Sequence, residues 1–124
     1  MFSTRIATQI YAKICFNTTS GQKKIIESLS EYLSESDPAA IFVLNGYAGT
    51  GKTTLIAALV GALKDCGIKP VLLAPTGRAA KVFSAYAGHP AFTIHKKIYR
   101  QQSFSNETSN FSVNDNLTTH TLYI

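Results

Sequence analysis

The fold predicted for the chain depends most on one stretch of sequence, Gly46-Tyr47-Ala48-Gly49-Thr50-Gly51-Lys52-Thr53. It matches the phosphate-binding loop, in which a glycine is followed by four residues and then by Gly-Lys-Thr. The glycines let backbone N–H groups point inward at the start of a helix, where they bind anions. The apolar run Ile41–Leu44 predicts a buried parallel strand before the loop. After it, residues 53–65 predict a helix ended by Gly67; the alternative is a chance glycine-rich turn.

The loop pattern assigns chemical roles to its last residues. Lys52 would reach the β- and γ-phosphates of a nucleoside triphosphate, and the Thr53 hydroxyl would bind Mg²⁺. These two residues are the predicted catalytic pair, and Thr53 is the predicted metal ligand. The predicted nucleotide site consists of residues 46–53 with Thr54, and ATP and Mg²⁺ are the expected cofactors.

Composition limits the possible classes of protein. A chain of 124 residues suffices for one domain, and 45% hydrophobic residues allow a buried core. The net charge of +5 weakly favours a polyanionic partner, because a nucleotide site alone already requires positive charge. Cys15 and Cys66 fit no metal-binding spacing and are expected to be free thiols. No apolar run approaches the length of a membrane span, so we expect no membrane partner. The expected location is cytoplasmic, in the bacterial cytosol or nucleoid. A mitochondrial transit peptide before Glu27 is the less favoured alternative.

Two helices are predicted before the loop. Residues 1–18 would form an amphipathic N-terminal helix with isoleucines at four-residue spacing. Thr19 and Gln22 have the spacing of a capping box, which would start a second helix that ends at Ser34. We expect the first helix to precede a single nucleotide-binding domain formed by residues 19–124.

The pattern after the loop predicts an α/β fold. The helix of residues 53–65 is apolar on nearly all sides, which is typical of a helix buried between layers. A strand predicted at Lys69–Ala74 then makes the elements alternate, which implies a parallel sheet. Thr76 would cap a helix from Arg78 to Ala87.

The last third of the chain changes in composition. Thr93 would cap a short helix, Ile94–Arg100. Residues 101–119 are rich in Ser, Asn, Thr and Gln and are predicted to form a mobile surface loop. The apolar residues Thr121–Ile124 predict the opening of a third strand.

Three segments taken together resemble the RecD-like helicases of superfamily 1B. They are residues 46–53, Ala74-Pro75-Thr76-Gly77-Arg78-Ala79-Ala80 and Thr93-Ile94-His95-Lys96, in the order and spacing of that family. The resemblance implies a partial RecA-like P-loop NTPase fold, with helices flanking a parallel sheet. It also implies an ATP-dependent DNA helicase that couples hydrolysis to 5'-3' translocation, with ATP and single-stranded DNA as partners.

The resemblance also implies individual roles. Gln22 matches the residue whose side-chain amide reads the adenine edge, although it could instead serve only the capping box. Residues that match motifs placed against single-stranded DNA are Pro75, Thr76, Arg78, Thr93 and His95. Arg78 could alternatively be a solvated charge in the first turn of a helix, and His95 could be structural.

One feature of this family is missing from the sequence. An NTPase of this type needs an acidic pair after a strand, for Mg²⁺ and for the attacking water. After Thr53 the acids are Asp65, Glu107 and Asp115, and none follows an apolar strand. The resemblance places the pair just beyond Leu122–Ile124, so we expect an N-terminal part of a helicase, truncated before these acids and itself inactive. The alternatives are another P-loop enzyme, such as a small-molecule kinase, and a non-catalytic nucleotide-binding module.

Overall fold

A computed structural model of the chain describes residues 2–14, 17–35, 37, 39–46, 51–103, 110–113 and 121–124. Two compact units are present, Met1–Gly67 and Ile68–Ile124. The elements in chain order are α1 Phe2–Lys13, α2 Ser20–Ser34, α3 Lys52–Asp65, β1 Lys69–Ala74, α4 Gly77–Ala87, β2 Ala91–Thr93, α5 Ile94–Ile98, β3 Tyr99–Ser103, β4 Asn110–Val113 and β5 Thr121–Tyr123. None of these helices is long and apolar enough to cross a membrane.

The first unit is built on the predicted apolar helix faces. Helix α1 packs against both α2 and α3. Ile6 and Ile10 of α1 and Ile26 of α2 are fully buried, and each such side chain contributes about 1.5–3 kcal/mol of stability. The Lys13 ammonium of α1 lies 2.9 Å from the carboxylate of Asp65 at the end of α3. The N-terminal helix is therefore an integral part of the core of this unit.

The run Ile41–Leu44 does not form the buried strand that the sequence predicted. The run belongs to no helix or strand, and Ile41 is 84% exposed and Val43 72% exposed. The Phe42 ring, by contrast, lies with its centroid 5.5 Å from that of Tyr32 on α2. A strand needs a neighbouring strand to complete its hydrogen bonds, and the described part of this unit contains only helices. The run packs on α2 instead.

The second unit contains the predicted parallel sheet. Strand β1 lies in the middle of the order β2-β1-β5 and is parallel to both neighbours. The register pairs Leu73 with Phe92 on one side and Pro70 with Leu122 on the other. The α/β class is thereby confirmed, and so is the strand at the end of the chain. Strand β2 was not predicted, since three residues are too few to show a period.

Residues 101–119, predicted to form a loop, contain the end of strand β3 and the whole of strand β4. Strands β3 and β4 are antiparallel, with Tyr99 opposite Val113 and Gln101 opposite Phe111. The preceding helix α5 accordingly ends at Ile98 rather than at Arg100. Strand pairing is made by backbone groups, so a polar composition does not prevent it. Residues 104–109 and 114–119 of the predicted mobile loop lie outside the described residues, and the mobility itself stays a prediction.

Candidate functional site

Helix α3 begins at Lys52, within the predicted phosphate-loop motif. Its N-cap residue is Gly51, in the left-handed conformation with φ +83°, and the first turn closes from Leu55 N–H to the Gly51 carbonyl at 3.1 Å. Helices α2 and α4, by contrast, are capped by the hydroxyls of Thr19 and Thr76. Glycine has no side-chain oxygen, so the N-cap residue of α3 leaves the positive end of the helix open to an external anion.

The capping box at the start of α2 holds Gln22 against this loop. The Thr19 N–H donates to Gln22 Oε1 at 2.9 Å, and the Gln22 N–H donates to Thr19 Oγ1 at 3.2 Å. The predicted box is therefore confirmed. A Cβ atom on Gly51 would lie only 2.8 Å from Gln22 Nε2. The left-handed backbone conformation favours glycine at this position, and a Cβ there would also require the flexible Gln22 amide to shift.

The predicted catalytic residues lie in the first turn of α3. The Lys52 ammonium donates to the carbonyl oxygen of Gly46, which joins the two ends of the loop motif. Thr53 and Thr54 are exposed on the same turn. The other predicted nucleotide-binding residues lie outside the described residues: Tyr47, Ala48, Gly49 and Thr50.

A cleft of about 260 Å³ is lined by four of the predicted nucleotide-binding residues, Gln22, Gly46, Gly51 and Lys52, whereas Thr53 and Thr54 are not among its lining residues. Lys52 is the one charged side chain among its described lining residues, and Ile25, Leu44 and Leu55 supply its apolar side chains. The lining residues are Thr19, Gly21, Gln22, Ile25, Leu44, Asn45, Gly46, Gly51, Lys52 and Leu55. An apolar surface with a few convergent polar groups is typical of a small-molecule site.

Thr53, the predicted metal ligand, is exposed in the first turn of α3 and offers one hydroxyl oxygen. Mg²⁺ retains several waters and takes few protein ligands beside substrate phosphates, so a single hydroxyl fits part of its requirement. No cluster of three His, Cys, Asp or Glu suited to a metal occurs among the described residues. Asp65 follows Thr53 in the same helix by 12 residues, or roughly 18 Å, and pairs with Lys13. Asp65 therefore does not belong to this site.

The second unit contains the residues predicted to contact DNA. Thr76 caps α4 by accepting the N–H of Ala79 at 3.2 Å, and Pro75 and Arg78 are exposed around this helix start. The left-handed Gly88, with φ +63°, ends the same helix. An accepting threonine oxygen still has its own O–H to donate, so the cap remains compatible with a phosphate contact.

Thr93 forms a similar cap at α5. Its Oγ1 accepts the N–H of Lys96 at 3.2 Å, and His95 is exposed on the same short helix. The Lys97 ammonium lies 4.9 Å from the centroid of the Phe92 ring. The predicted caps of both helices are thus confirmed, while the DNA contacts themselves stay predictions.

Several lining residues were not identified from the sequence. Asn45 lines the first cleft, and its position directly before Gly46 could have indicated it. In the second unit, Lys81, Ser84 and Phe92 line a groove together with Thr93. Lys81 and Ser84 lie three residues apart on α4, a spacing that places them on one helix face.

The family relationship follows from comparison with known proteins. A family model described as an AAA domain matches residues 17–124. The chain belongs to the AAA domain family. The relationship of this AAA domain to RecD-like helicases, predicted from its three motifs, is confirmed by similarity to two curated helicases.

These relatives are much longer than the AAA domain. The ATP-dependent RecD2 DNA helicase of Deinococcus radiodurans is 32% identical over 84 residues, which are 67% of this chain and 12% of that protein. The ATP-dependent DNA helicase dda of Enterobacteria phage T4 is 38% identical over 78 residues, 62% of this chain and 17% of that protein. The ATP-dependent DNA helicase RecG of Mycobacterium bovis is 31% identical over 74 residues, 60% of this chain and 10% of that protein. No solved structure matches at a significant level.

Proposed function

We propose that this AAA domain is the nucleotide-binding part of an ATP-dependent 5'-3' DNA helicase acting on single-stranded DNA in the bacterial cytosol. The observation that supports this best is the approach of the Gln22 amide to Gly51. It brings the predicted adenine-binding side chain to the end of the predicted phosphate loop. The names of the relatives, all ATP-dependent DNA helicases, support the same function.

Each end of a nucleotide has suitable partners in the cleft. The first turn of α3 and the Lys52 ammonium would hold the phosphates, with Lys52 exchanging the Gly46 carbonyl for a phosphate oxygen. The apolar side chains of Ile25 and Leu55 would contact the base. Because Gln22 Oε1 accepts the Thr19 N–H, the donors of Nε2 are the groups that this amide offers to the base edge.

Mg²⁺ would share the phosphate end of this site. The Thr53 hydroxyl would bind it beside phosphate oxygens and water. When bound, the ion neutralises charge on the β- and γ-phosphates. Lys52 would act on the same oxygens by stabilising the charge that develops during phosphoryl transfer.

The contacts proposed for DNA are sequence-independent. The hydroxyls of Thr76 and Thr93 would donate to backbone phosphates, and the exposed side chains of Arg78 and His95 would provide further contacts beside Pro75. Such contacts suit translocation, because they do not depend on which base is bound.

Titration of the 124-residue chain with a fluorescent ATP analogue tests the nucleotide site. We expect Lys52→Ala to weaken binding at least tenfold, because a hydrogen bond to a charged group contributes about 1.5–3 kcal/mol. Lys64→Ala is the matched control. It removes the same charge from the exposed last turn of the same helix, and we expect affinity within about twofold of the unchanged chain.

Two results would contradict the proposal. Equal affinity of the Lys52→Ala and Lys64→Ala variants would show that the analogue binds elsewhere. Phosphoryl transfer to a small-molecule acceptor, with no influence of DNA, would favour a P-loop kinase instead.

A further inference from the structure

The side-chain amide of Gln22, which lines the first cleft, has its two polar atoms beside different neighbours. Oε1 accepts the Thr19 N–H at 2.9 Å, and this atom must be the oxygen, because an N–H group cannot donate to the NH₂ end of an amide. Nε2 lies beside Gly51, where an added Cβ would be 2.8 Å away. The capping box therefore determines which end of the amide is left for a ligand.

The groups that this corner of the cleft offers are hydrogen-bond donors. Nε2 carries two N–H groups, and no residue in the described part of the chain accepts from them. The Thr19 hydroxyl also lines the cleft; it accepts the Gln22 N–H at 3.2 Å and keeps its own O–H to donate. An amino group on a ligand could use Oε1 only by sharing it with the Thr19 N–H or by displacing that N–H, and either change weakens the capping box.

Purine bases differ in what they present to such donors. On the edge that carries N7, adenine presents one acceptor, N7, and one donor, the N6 amino group. Guanine presents two acceptors on the same edge, N7 and O6, and hypoxanthine does the same. The two N–H groups of Gln22 Nε2 therefore match a 6-oxopurine at both positions. With adenine, one of the two N–H groups meets another donor and a hydrogen bond is lost.

We propose that this cleft binds 6-oxopurine nucleoside triphosphates more tightly than ATP, with Gln22 Nε2 donating to O6 and N7 of the base. The proposal rests on the proposed function, because it places a nucleotide in this cleft, and it goes further by naming the base that the site prefers. ATP remains a ligand through N7 and its phosphates. The apolar side chains of Ile25 and Leu55 contact the face of either purine alike, so the preference is determined at the base edge.

Displacement of the fluorescent ATP analogue from the 124-residue chain by unlabelled ATP, inosine triphosphate (ITP) and GTP tests the preference. ITP has O6 and an N1–H where ATP has the N6 amino group and an unprotonated N1, and it is otherwise identical. We expect ITP to bind about two- to tenfold more tightly than ATP, which corresponds to one hydrogen bond. GTP should share this advantage, because it presents the same two acceptors.

Gln22→Glu tests whether this side chain causes the preference. The glutamate keeps one oxygen for the Thr19 N–H and presents a second oxygen in place of Nε2. A carboxylate oxygen repels O6 but accepts from the N6 amino group, so ITP should lose its advantage over ATP. The added negative charge weakens both nucleotides alike and cancels in the ratio of the two affinities. A purely structural role of Gln22 would leave that ratio unchanged, and an unchanged ratio would overturn the proposal.

Asn45→Ala is the matched control, because it removes the other side-chain amide among the described lining residues and leaves the capping box intact. We expect the ratio of ITP to ATP affinity to stay within about twofold of that of the unchanged chain. A ratio that changed in this variant and not in Gln22→Glu would assign the base contact to Asn45 and overturn the role of Gln22.

The same titrations separate this proposal from the proposed function. If the unchanged chain binds none of the three nucleotides, the nucleotide site itself is refuted, and the base preference with it. If the chain binds ATP as tightly as ITP or more tightly, the base preference alone is refuted and the proposed function stands.

Discussion

Replacing Gly51 with alanine is expected to destabilise the first unit by two separable effects. The backbone at Gly51 has φ +83°, and the left-handed conformation costs a residue with a Cβ about 1–2 kcal/mol. The new Cβ would also lie 2.8 Å from Gln22 Nε2, so the amide must move. We expect this shift of the flexible side chain to break the hydrogen bond from the Thr19 N–H to Oε1, a loss of about 0.5–1.5 kcal/mol. The sum is about 1.5–3.5 kcal/mol.

Gly67→Ala is the control that isolates the second effect. Gly67 follows α3 in the same unit with φ +76°, and a Cβ there would meet nothing within 4 Å. Both variants therefore share the backbone strain, and only the Gly51 variant displaces Gln22. Urea unfolding of the chain should show a difference between them of about 0.5–1.5 kcal/mol.

A double-mutant cycle refines the comparison. With Gln22→Ala already present, Gly51→Ala should cost about as much as Gly67→Ala, because the obstructing amide is gone. If Gly51→Ala and Gly67→Ala destabilise the chain equally in the presence of Gln22, the inferred contact between Gln22 and the loop is wrong.

Two further predictions concern single side chains. Gln22→Glu should retain the capping box, since a glutamate at this position also accepts the Thr19 N–H, yet it should weaken binding of the ATP analogue because the Nε2 donors are gone. Gln22→Ala should lose both the capping box and the affinity for the analogue. Circular dichroism measures the first effect and the titration measures the second. Burial raises the pKa of Tyr86 above its ordinary value of 10.0. The neutral phenol is thus favoured in the folded chain, so its contribution to stability should be present below pH 10 and be lost as the pH rises further. Tyr86→Phe should reduce this alkaline loss in unfolding measurements, and an unchanged pH profile would contradict the assignment.

Local patterns were predictable from the sequence because their determinants lie within a few residues. The caps at Thr19, Thr76 and Thr93 follow from hydroxyls three residues before the N–H that each accepts. Strand β1 was predicted with its observed bounds, since a continuous apolar centre stood between two helix signals.

Features that depend on a distant partner were not predictable in this way. The run Ile41–Leu44 has the composition of a strand, but in its own unit it contacts α2 rather than another strand. Strands β3 and β4 pair through backbone groups, and their polar side chains give no sign of this pairing in the sequence. The approach of Gln22 to Gly51 links two segments far apart in the chain. The resemblance to the helicase family suggested that Gln22 and Gly51 bind the same ligand, but no rule of sequence spacing predicts that these two residues lie close together.

Helix α2 contacts both the segment that leads into the phosphate loop and Gly51 within it. Near its start, Gln22 abuts Gly51; two to three turns later, the Tyr32 hydroxyl donates to the Ala40 carbonyl at 2.8 Å and its ring contacts Phe42. The segment before the loop, with Ala40 and Phe42, and the loop residue Gly51 are thus held by contacts with the same helix. The entropic cost of bringing these two segments together is incurred when the unit folds. A nucleotide that bound there would not incur this entropic cost again, so more of its interaction energy would remain as affinity.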